Sequence, residues 1–261
     1  MPLSLPEKLQ LAAATARVAG EILRARRPSR VEHKAQNDYV TDLDREVERC
    51  IRAALLSTCP EDSFLGEESG ATDLRPGQWI VDPIDGTTNF IRNLAPYTVS
   101  IAYRLRGELV LGCVYAPALN EMFLAQKGCG ATLNGLPICV SQTKDPAQAL
   151  AAISFSHRHP LDRARMLPLI CALTDELNDM RRLGSAAYDL CLVASGRLDA
   201  YLELRLNIYD IAAGIVILQE AGGIATGWPD EPDCTETGNI FATNALLHPF
   251  FTRQIRTIND I

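Results

Sequence analysis

The chain has 261 residues, 47% of them hydrophobic and 22% charged, with a formal net charge of −7. That length and apolar content fit one large globular domain or two closely joined halves. The acidic balance excludes a general nucleic-acid binder, which needs clustered cations against phosphate backbones. An anionic substrate stays open, because bound cations reverse a local field.

Ser4-Leu-Pro-Glu7 reads as a capping box, and Leu11, Ala14, Val18 and Ile22 continue at helical spacing to about Leu23. The Arg24, Arg26, Arg27 and Arg30 cluster reads as cations at that helix's C-terminus. Glu32 to Asp38 reads as a polar loop. Thr41-Asp-Leu-Asp44 caps a second helix carrying Leu43, Val47, Ile51 and Leu55, which Cys59-Pro60 ends. Strands are expected at Ser63 to Leu65, Gln78 to Val81, Thr98 to Leu105, Leu109 to Tyr115 and Met122 to Ala125. A hairpin turn region follows at Gly128 to Gly135. The second half restarts near Leu150 with a strand over Ala151 to Ser156. Helices follow at Pro160 to Leu177 and Ser185 to Ser195, then a strand at Asp199 to Leu204. A helix opening near Asp210 ends at Ala221-Gly222-Gly223. Short strands near Ile224 and Ile240 precede a closing helix from about Ala245. Mixed strands and helices favour a layered α/β or α+β fold.

The eight scattered cysteines contain no C-x-x-C pair, and several lie in apolar runs, so reduced buried thiols are expected. The beginning, Met1 to Lys8, shows no basic segment followed by an apolar core, and no stretch approaches the ~20 apolar residues of a membrane span. The expected localisation is cytoplasmic. His157 and His159 form an H-x-H pair without a second cluster at zinc spacing, which reads as a solvated loop. The glycines around Gly128 lack the strand-to-helix context of a dinucleotide site.

Function concentrates in Trp79-Ile-Val-Asp-Pro-Ile-Asp-Gly-Thr-Thr-Asn89. Asp82 and Asp85, three residues apart on a tight turn, can face one volume, as oxygen ligands of a hard divalent cation do. Gly86, Thr87 and Thr88 offer amides and hydroxyls where a helix could begin, a ready anion site. Asp82 follows three apolar residues, and an unpaired carboxylate buried there would be costly. Asp44, Glu67-Glu68 and Asp210 complete a set of acidic groups near turns or helix starts. Each also has an ordinary reading: Asp44 and Asp210 as helix-start residues, Glu67-Glu68 as a solvated loop.

This set resembles the inositol monophosphatase family of magnesium-dependent, lithium-sensitive phosphatases. Gly66-Glu-Glu-Ser69 matches its acidic loop and Trp79 to Phe90 its signature segment. Tyr209-Asp-Ile-Ala-Ala-Gly214 with Glu220-Ala-Gly-Gly223 matches its C-terminal signature, and Gly184-Ser-Ala-Ala187 its substrate-side helix start. The similarity covers nearly the whole chain. It implies a five-layer αβαβα sandwich of the α+β class, one catalytic domain over 1–261 with halves meeting near 145/146, and a homodimer. It also implies roughly two to three Mg²⁺ ions in a metal-assisted hydrolysis. Glu67, Asp82 and the Ile84 carbonyl would bind the first ion; Asp82, Asp85 and Asp210 the second; a third would rest near Glu67. One ion lowers the pKa of a water while another stabilises the leaving oxygen. Thr87 and Asp44 would orient and deprotonate that water, with Glu68 supporting them. Gly86 and Thr87 amides would hold the phosphate, Ser185, Ala186 and Glu203 the polyol, and Lys34 would steady water on the metal. Glu203 reads otherwise as an outward residue on an edge strand, and Lys34 as an exposed loop lysine.

The chain departs from the family at Asn207-Ile208-Tyr209, where many relatives carry Pro-Trp or Cys-Trp, and this leaves the substrate open. Myo-inositol monophosphate is the expected substrate and histidinol phosphate the near alternative. Fructose 1,6-bisphosphate and 3′-phosphoadenosine 5′-phosphate rank lower, since no basic cluster for a second phosphate stands beside the motifs. The other class is a non-catalytic interaction protein, since some bacterial relatives are implicated in binding the transcription machinery.

Overall fold

A computed structural model describes residues 2–35, 38–73, 75–154, 160–229, 231 and 233–259. Helix α1 (Leu5–Ala25) starts at Ser4, whose backbone amide and hydroxyl both donate to Glu7 Oε2, at 2.8 and 2.6 Å. At its other end Arg27 donates to the Leu23 carbonyl, and Arg26 pairs with Glu46. Strands β1 (Val31–Ala35) and β2 (Asp38–Thr41) then pair antiparallel. This corrects the polar loop expected over Glu32 to Asp38 at Glu32 to Ala35 and at Asp38; residues 36–37 lie outside the described residues. Glu32, His33 and Lys34 stand in a row in β1, which therefore lacks the apolar alternation that marks a strand, although Val40 of β2 is buried. Thr41 caps α2 (Asp42–Thr58) as expected.

The first sheet comprises β3 (Ser63–Gly66), β4 (Gly70–Ala71), β5 (Gly77–Asp85), β6 (Thr98–Leu105), β7 (Glu108–Ala116), β8 (Glu121–Gln126), β9 (Ala131–Leu133) and β10 (Leu136–Ile138), with the short helix α3 (Thr87–Ile91) after β5. Their order is β10-β9-β8-β7-β6-β5-β3-β4, antiparallel except for the parallel β3/β5 pair. The second sheet forms from β11 (Leu150–Ile153), β12 (Asp179–Arg181), β13 (Ala200–Glu203), β14 (Gly223–Gly227) and β15 (Ile240–Asn244), in the order β12-β11-β13-β15-β14. Helices α4 (Pro160–Thr174), α5 (Ala186–Ala194), α6 (Ile208–Glu220), α7 (Cys234–Thr237) and α8 (His248–Asn259) complete the chain. The sequence did not signal β12 or α7. Residues 155–159, including the His157/His159 pair and the end of the strand expected over Ala151 to Ser156, lie outside the described residues.

Period-two alternation builds the layers. Trp79, Val81, Ile101, Cys113 and Tyr115 face α1 and α2. Ile80, Ala102, Val114 and Phe123 point the other way, onto α5 and α6. Tyr201 and Ala242 of the second sheet meet the same two helices from behind, while Ala200, Leu202 and Phe241 face α4 and α8. The result is the five-layer αβαβα sandwich of the α+β class. Helix α6 is buried from Ile211 to Leu218, as a helix between two sheets must be, and its apolar residues run all the way round it. All eight cysteines are free. Cys59, Cys113, Cys191 and Cys234 are buried as expected, but Cys50, Cys129, Cys139 and Cys171 are exposed.

Candidate active site

The expected strand over Gln78 to Val81 runs on to Asp85, and its register against β6 shifts between Asp82 and Asp85. On a regular strand, residues three apart point to opposite faces. Here Asp82 lies opposite Ser100 and Asp85 opposite Thr98, two β6 residues that share a face. The extra residue is a β-bulge, which re-aims side chains in this way. Pro83, with no N–H to contribute to the ladder, sits inside it. Both carboxylates therefore look onto the helical layer between the sheets.

Asp85 is held by four donors. Ser185 Oγ lies at 2.6 Å, the Ala187 and Ala186 amides at 2.8 and 3.2 Å, and Thr98 Oγ1 at 3.4 Å. These amides open α5, so the carboxylate also sits at a helix N-terminus, where negative charge is favoured. Burial nevertheless pushes Asp85 up to about 6 against the lowering effect of those bonds. Ser185 and Ala186 were expected to touch substrate; in this structure they hold Asp85. Thr98 and Ala187 were not foreseen, since only strand register and helix docking reveal them.

Asp82 is 2% exposed, and its Oδ1 accepts the Ile84 amide at 2.9 Å. Burial raises its pKa well above the usual range, and Glu67, Asp85 and Asp210 raise it further. Asp210 stands third in α6, where its carboxylate accepts the Asn207 amide at 2.6 Å. Its ordinary reading as a helix-start residue thus holds, alongside the site reading. Burial, then the charge of Asp85, lifts its carboxyl well above normal as well. Glu67 begins the loop after β3, and its amide donates to the Val81 carbonyl at 3.2 Å, one residue before Asp82.

Asp44 likewise serves two ends. Its Oδ2 accepts the Thr41 amide at 2.8 Å and hydroxyl at 2.5 Å, completing the α2 cap, while Oδ1 lies 3.3 Å from Thr87 Oγ1. That hydroxyl is also 3.0 Å from the Ile84 carbonyl, and its single proton serves one acceptor at a time. Burial, offset by the Thr41 bonds, brings Asp44 to about 6. Gly86 adopts a φ of 92°, and an added Cβ would stand 3.1 Å from the Gly184 carbonyl. A glycine is required there to start α3 beside the α5 segment.

Glu203 is half-buried and accepts the Tyr201 hydroxyl at 2.5 Å. Its strand, β13, is central in the second sheet, which corrects the edge-strand alternative. Its charge acts on both Asp210 and Asp189. Asp189, which no sequence motif marks, is fully buried, and among the described residues neither of its oxygens has a hydrogen-bond partner. Burial and then the Glu203 and Asp85 charges hold its carboxyl well above the usual range. Lys34 belongs to β1, not to a loop; its side chain lies outside the described residues.

Among the described residues no ion pair neutralises Asp82, Asp85 or Asp210. Buried carboxylates whose strongest charged neighbours are negative call for a hard cation, and an all-oxygen donor set fits magnesium. Among the described residues these groups do not bring three ligand atoms within 4.8 Å of one another; the group that does is the Cys59 thiol with the Glu61 and Asp62 carboxylates. There the buried Lys8 ammonium already pairs with Asp62 and lies 3.8 Å from Glu61, so a cation is built in. At the candidate site Asp85 is drawn onto α5 and Asp210 onto its own helix start. Mutual repulsion keeps like charges from closing up unaided.

The sequence model of the inositol monophosphatase family matches residues 5–260. The Nus factor SuhB of Vibrio cholerae is 41% identical over 213 residues, covering 81% of this chain and 80% of that protein. The extragenic suppressor protein SuhB of Bartonella henselae superposes with a TM-score of 0.90 at 33% identity, over 95% of this chain and 97% of its own. The inositol monophosphatase of Anabaena gives 0.87 at 32%, over 97% and 96%. With a family model matching residues 5–260 and the same layered architecture in solved relatives, the chain belongs to the inositol monophosphatase family.

Proposed function

We propose that this protein is a magnesium-dependent phosphomonoesterase acting on myo-inositol monophosphate or a similarly small polyol phosphate. The observation that carries the reading is Asp82: a buried carboxylate whose main charged neighbours, Glu67, Asp85 and Asp210, are all negative. Glu67, Asp82, the Ile84 carbonyl, Asp85 and Asp210 would hold the magnesium ions, with Asp82 shared, and the ions would supply Lewis-acid stabilisation of phosphoryl charge and acidify water. Thr87 orients the attacking water, accepting from it while donating to Asp44. Asp44 near 6 is ionised at neutral pH and suited to take a proton. Glu68 supports this pair from the acidic loop. The amides of Gly86 and Thr87, at the start of α3, meet the phosphate. Ser185 and Ala186 act on substrate chiefly by fixing Asp85, and Glu203 accepts hydrogen bonds from neighbouring hydroxyls of the polyol.

A panel of phosphate monoesters assayed with Mg²⁺ tests this reading. Inositol monophosphate should lead; histidinol phosphate ahead by orders of magnitude would give the activity to the alternative. Asp85→Asn should lower turnover by at least about 10²-fold, the scale of a lost electrostatic contribution. Near-normal magnesium-dependent turnover in that variant would sink the proposal. Lithium inhibition, a cytoplasmic location and a homodimer belong to the same reading, the last checked by sedimentation.

A second role rests on the Nus factor name of the Vibrio cholerae relative. We propose that the chain also binds the transcription machinery, through surface outside the acidic site. Co-elution with a bacterial elongation complex, retained by Asp85→Asn, is the expected result. Loss of co-elution with turnover would tie the two roles to one site.

A further inference from the structure

Glu48 is a carboxylate that the expected chemistry does not use, although it is 2% exposed. It stands on α2 one helical turn after Asp44, on the same side of the helix. Its Oε2 accepts the Glu68 amide at 2.7 Å and its Oε1 the Ser69 amide at 2.9 Å. Gly66 makes room for it: a Cβ there would lie 2.5 Å from both Cδ and Oε2 of Glu48. The acidic loop is therefore pinned on two sides. The Glu67 amide is tied to the Val81 carbonyl of β5, and the next two amides are tied to one carboxylate of α2. Between these anchors the Glu67 side chain is the foremost charge felt by Asp82.

Resting on the metal reading above, we propose that Glu48 is the positioning residue of the acidic loop, holding Glu67 and Glu68 where the cation is bound. Both of its oxygens are taken up by backbone N–H groups, so it acts through the loop and not as a ligand. The two successive amides are met here by two acceptor atoms on one group, and an anion suits the positive concavity that they form. Glutamine offers one acceptor and would turn an NH₂ toward the other N–H. Aspartate lacks a methylene and cannot span both amides from the same helix position. Helix α2 thereby carries two parts of the site on one rigid body, Asp44 toward Thr87 and Glu48 toward the loop.

The test is calorimetric titration of Mn²⁺, a spectroscopically convenient stand-in for magnesium, into wild type, Glu48→Gln and Glu48→Asp, with thermal melts of each metal-free protein. Wild type should bind Mn²⁺. Glu48→Gln should fold and bind it about 10–100-fold more weakly, the effect typical of groups that orient a metal ligand. Its magnesium requirement for turnover should rise in step, while kcat recovers at saturating magnesium. Glu48→Asp should fall between the two. Wild-type affinity in a folded Glu48→Gln overturns the inference alone. Should that variant not fold, unchanged affinity in Glu48→Asp overturns it equally. Failure of both to fold also overturns it, by making Glu48 a residue of stability. A wild type that binds no Mn²⁺ removes the metal reading itself, and this inference with it.

Discussion

At the scale of single residues, the carboxylates around Asp82 oppose folding when no cation is present. Burial pushes Asp44 and Asp85 up to about 6 in the folded chain, and Asp82 and Asp210 well above the ordinary carboxylate value. The folded state therefore binds protons more tightly than the unfolded chain. The stability that Asp44 and Asp85 contribute is fully present below about pH 4 and is lost as pH rises through about 6. Asp82 makes the cleanest probe, because among the described residues only the Ile84 amide donates to its carboxylate. Asparagine keeps that bond and removes the charge. Metal-free Asp82→Asn should be more stable than wild type at pH 7.5 by about 1–3 kcal/mol, the scale of a desolvated polar group. The gap should narrow toward pH 4, and magnesium should reverse the order by stabilising wild type alone. Chemical denaturation at two pH values, with and without magnesium, reads all three. A variant less stable than wild type in metal-free buffer at pH 7.5 would mean that Asp82 is compensated by something other than a cation.

Elements decide which signature residues serve chemistry and which serve the frame. Glu220, in the C-terminal signature, ends α6 far from Asp82. Its carboxylate accepts the amides of Gly128, Cys129 and Gly130 at 2.8, 3.0 and 2.8 Å, closing the turn between β8 and β9. Glu220→Ala should therefore lower stability by about 1–2 kcal/mol, discounted because water can replace the carboxylate at an exposed turn. Turnover should stay within about twofold of wild type, well under the tenfold that 1.4 kcal/mol of barrier represents. A large loss of turnover at full stability would move Glu220 into the site. Most elements were legible from local rules. The Ser4 and Thr41 caps, the β6 strand and the apolar α6 each carry their own signal. Others were not, among them the β1–β2 ribbon, whose first strand carries Glu32, His33 and Lys34 in a row; the β5 bulge, which shows only in register; the four-residue α7; and β12, three residues long with no buried face. The bulge mattered most, because straight strand geometry would have sent Asp82 and Asp85 to opposite faces.

At the scale of the whole molecule, the site exists only because two sheets share one helical layer. Sequence motifs named Glu67, Asp82, Asp85 and Asp210 singly, yet the order of layers brings α6 to β5 and the α5 N-terminus to Asp85. No local pattern encodes that meeting, nor the buried Asp189 and Glu48 behind it. The distance between α6 and the first sheet is set by small residues. Ala102, Gly112 and Ala125 are neighbours across β6, β7 and β8, and a Cβ on Gly112 would run into the backbone carbonyl of Ala213. Backbone cannot yield as a side chain does, so Gly112→Ala must move the helix away from the sheet. Asp210 lies three residues before Ala213, about one helical turn, and would move with it away from Asp82. The variant should lose about 1–3 kcal/mol from overpacking. Its turnover should fall by on the order of 10²-fold, as for an ångström-scale misplacement of catalytic groups, with a raised magnesium requirement. Parallel melts and magnesium titrations of turnover separate the two effects. A Gly112→Ala protein that melts earlier but keeps wild-type turnover and magnesium dependence would show that Asp210 is placed by its own helix cap, independently of how α6 sits on the sheet.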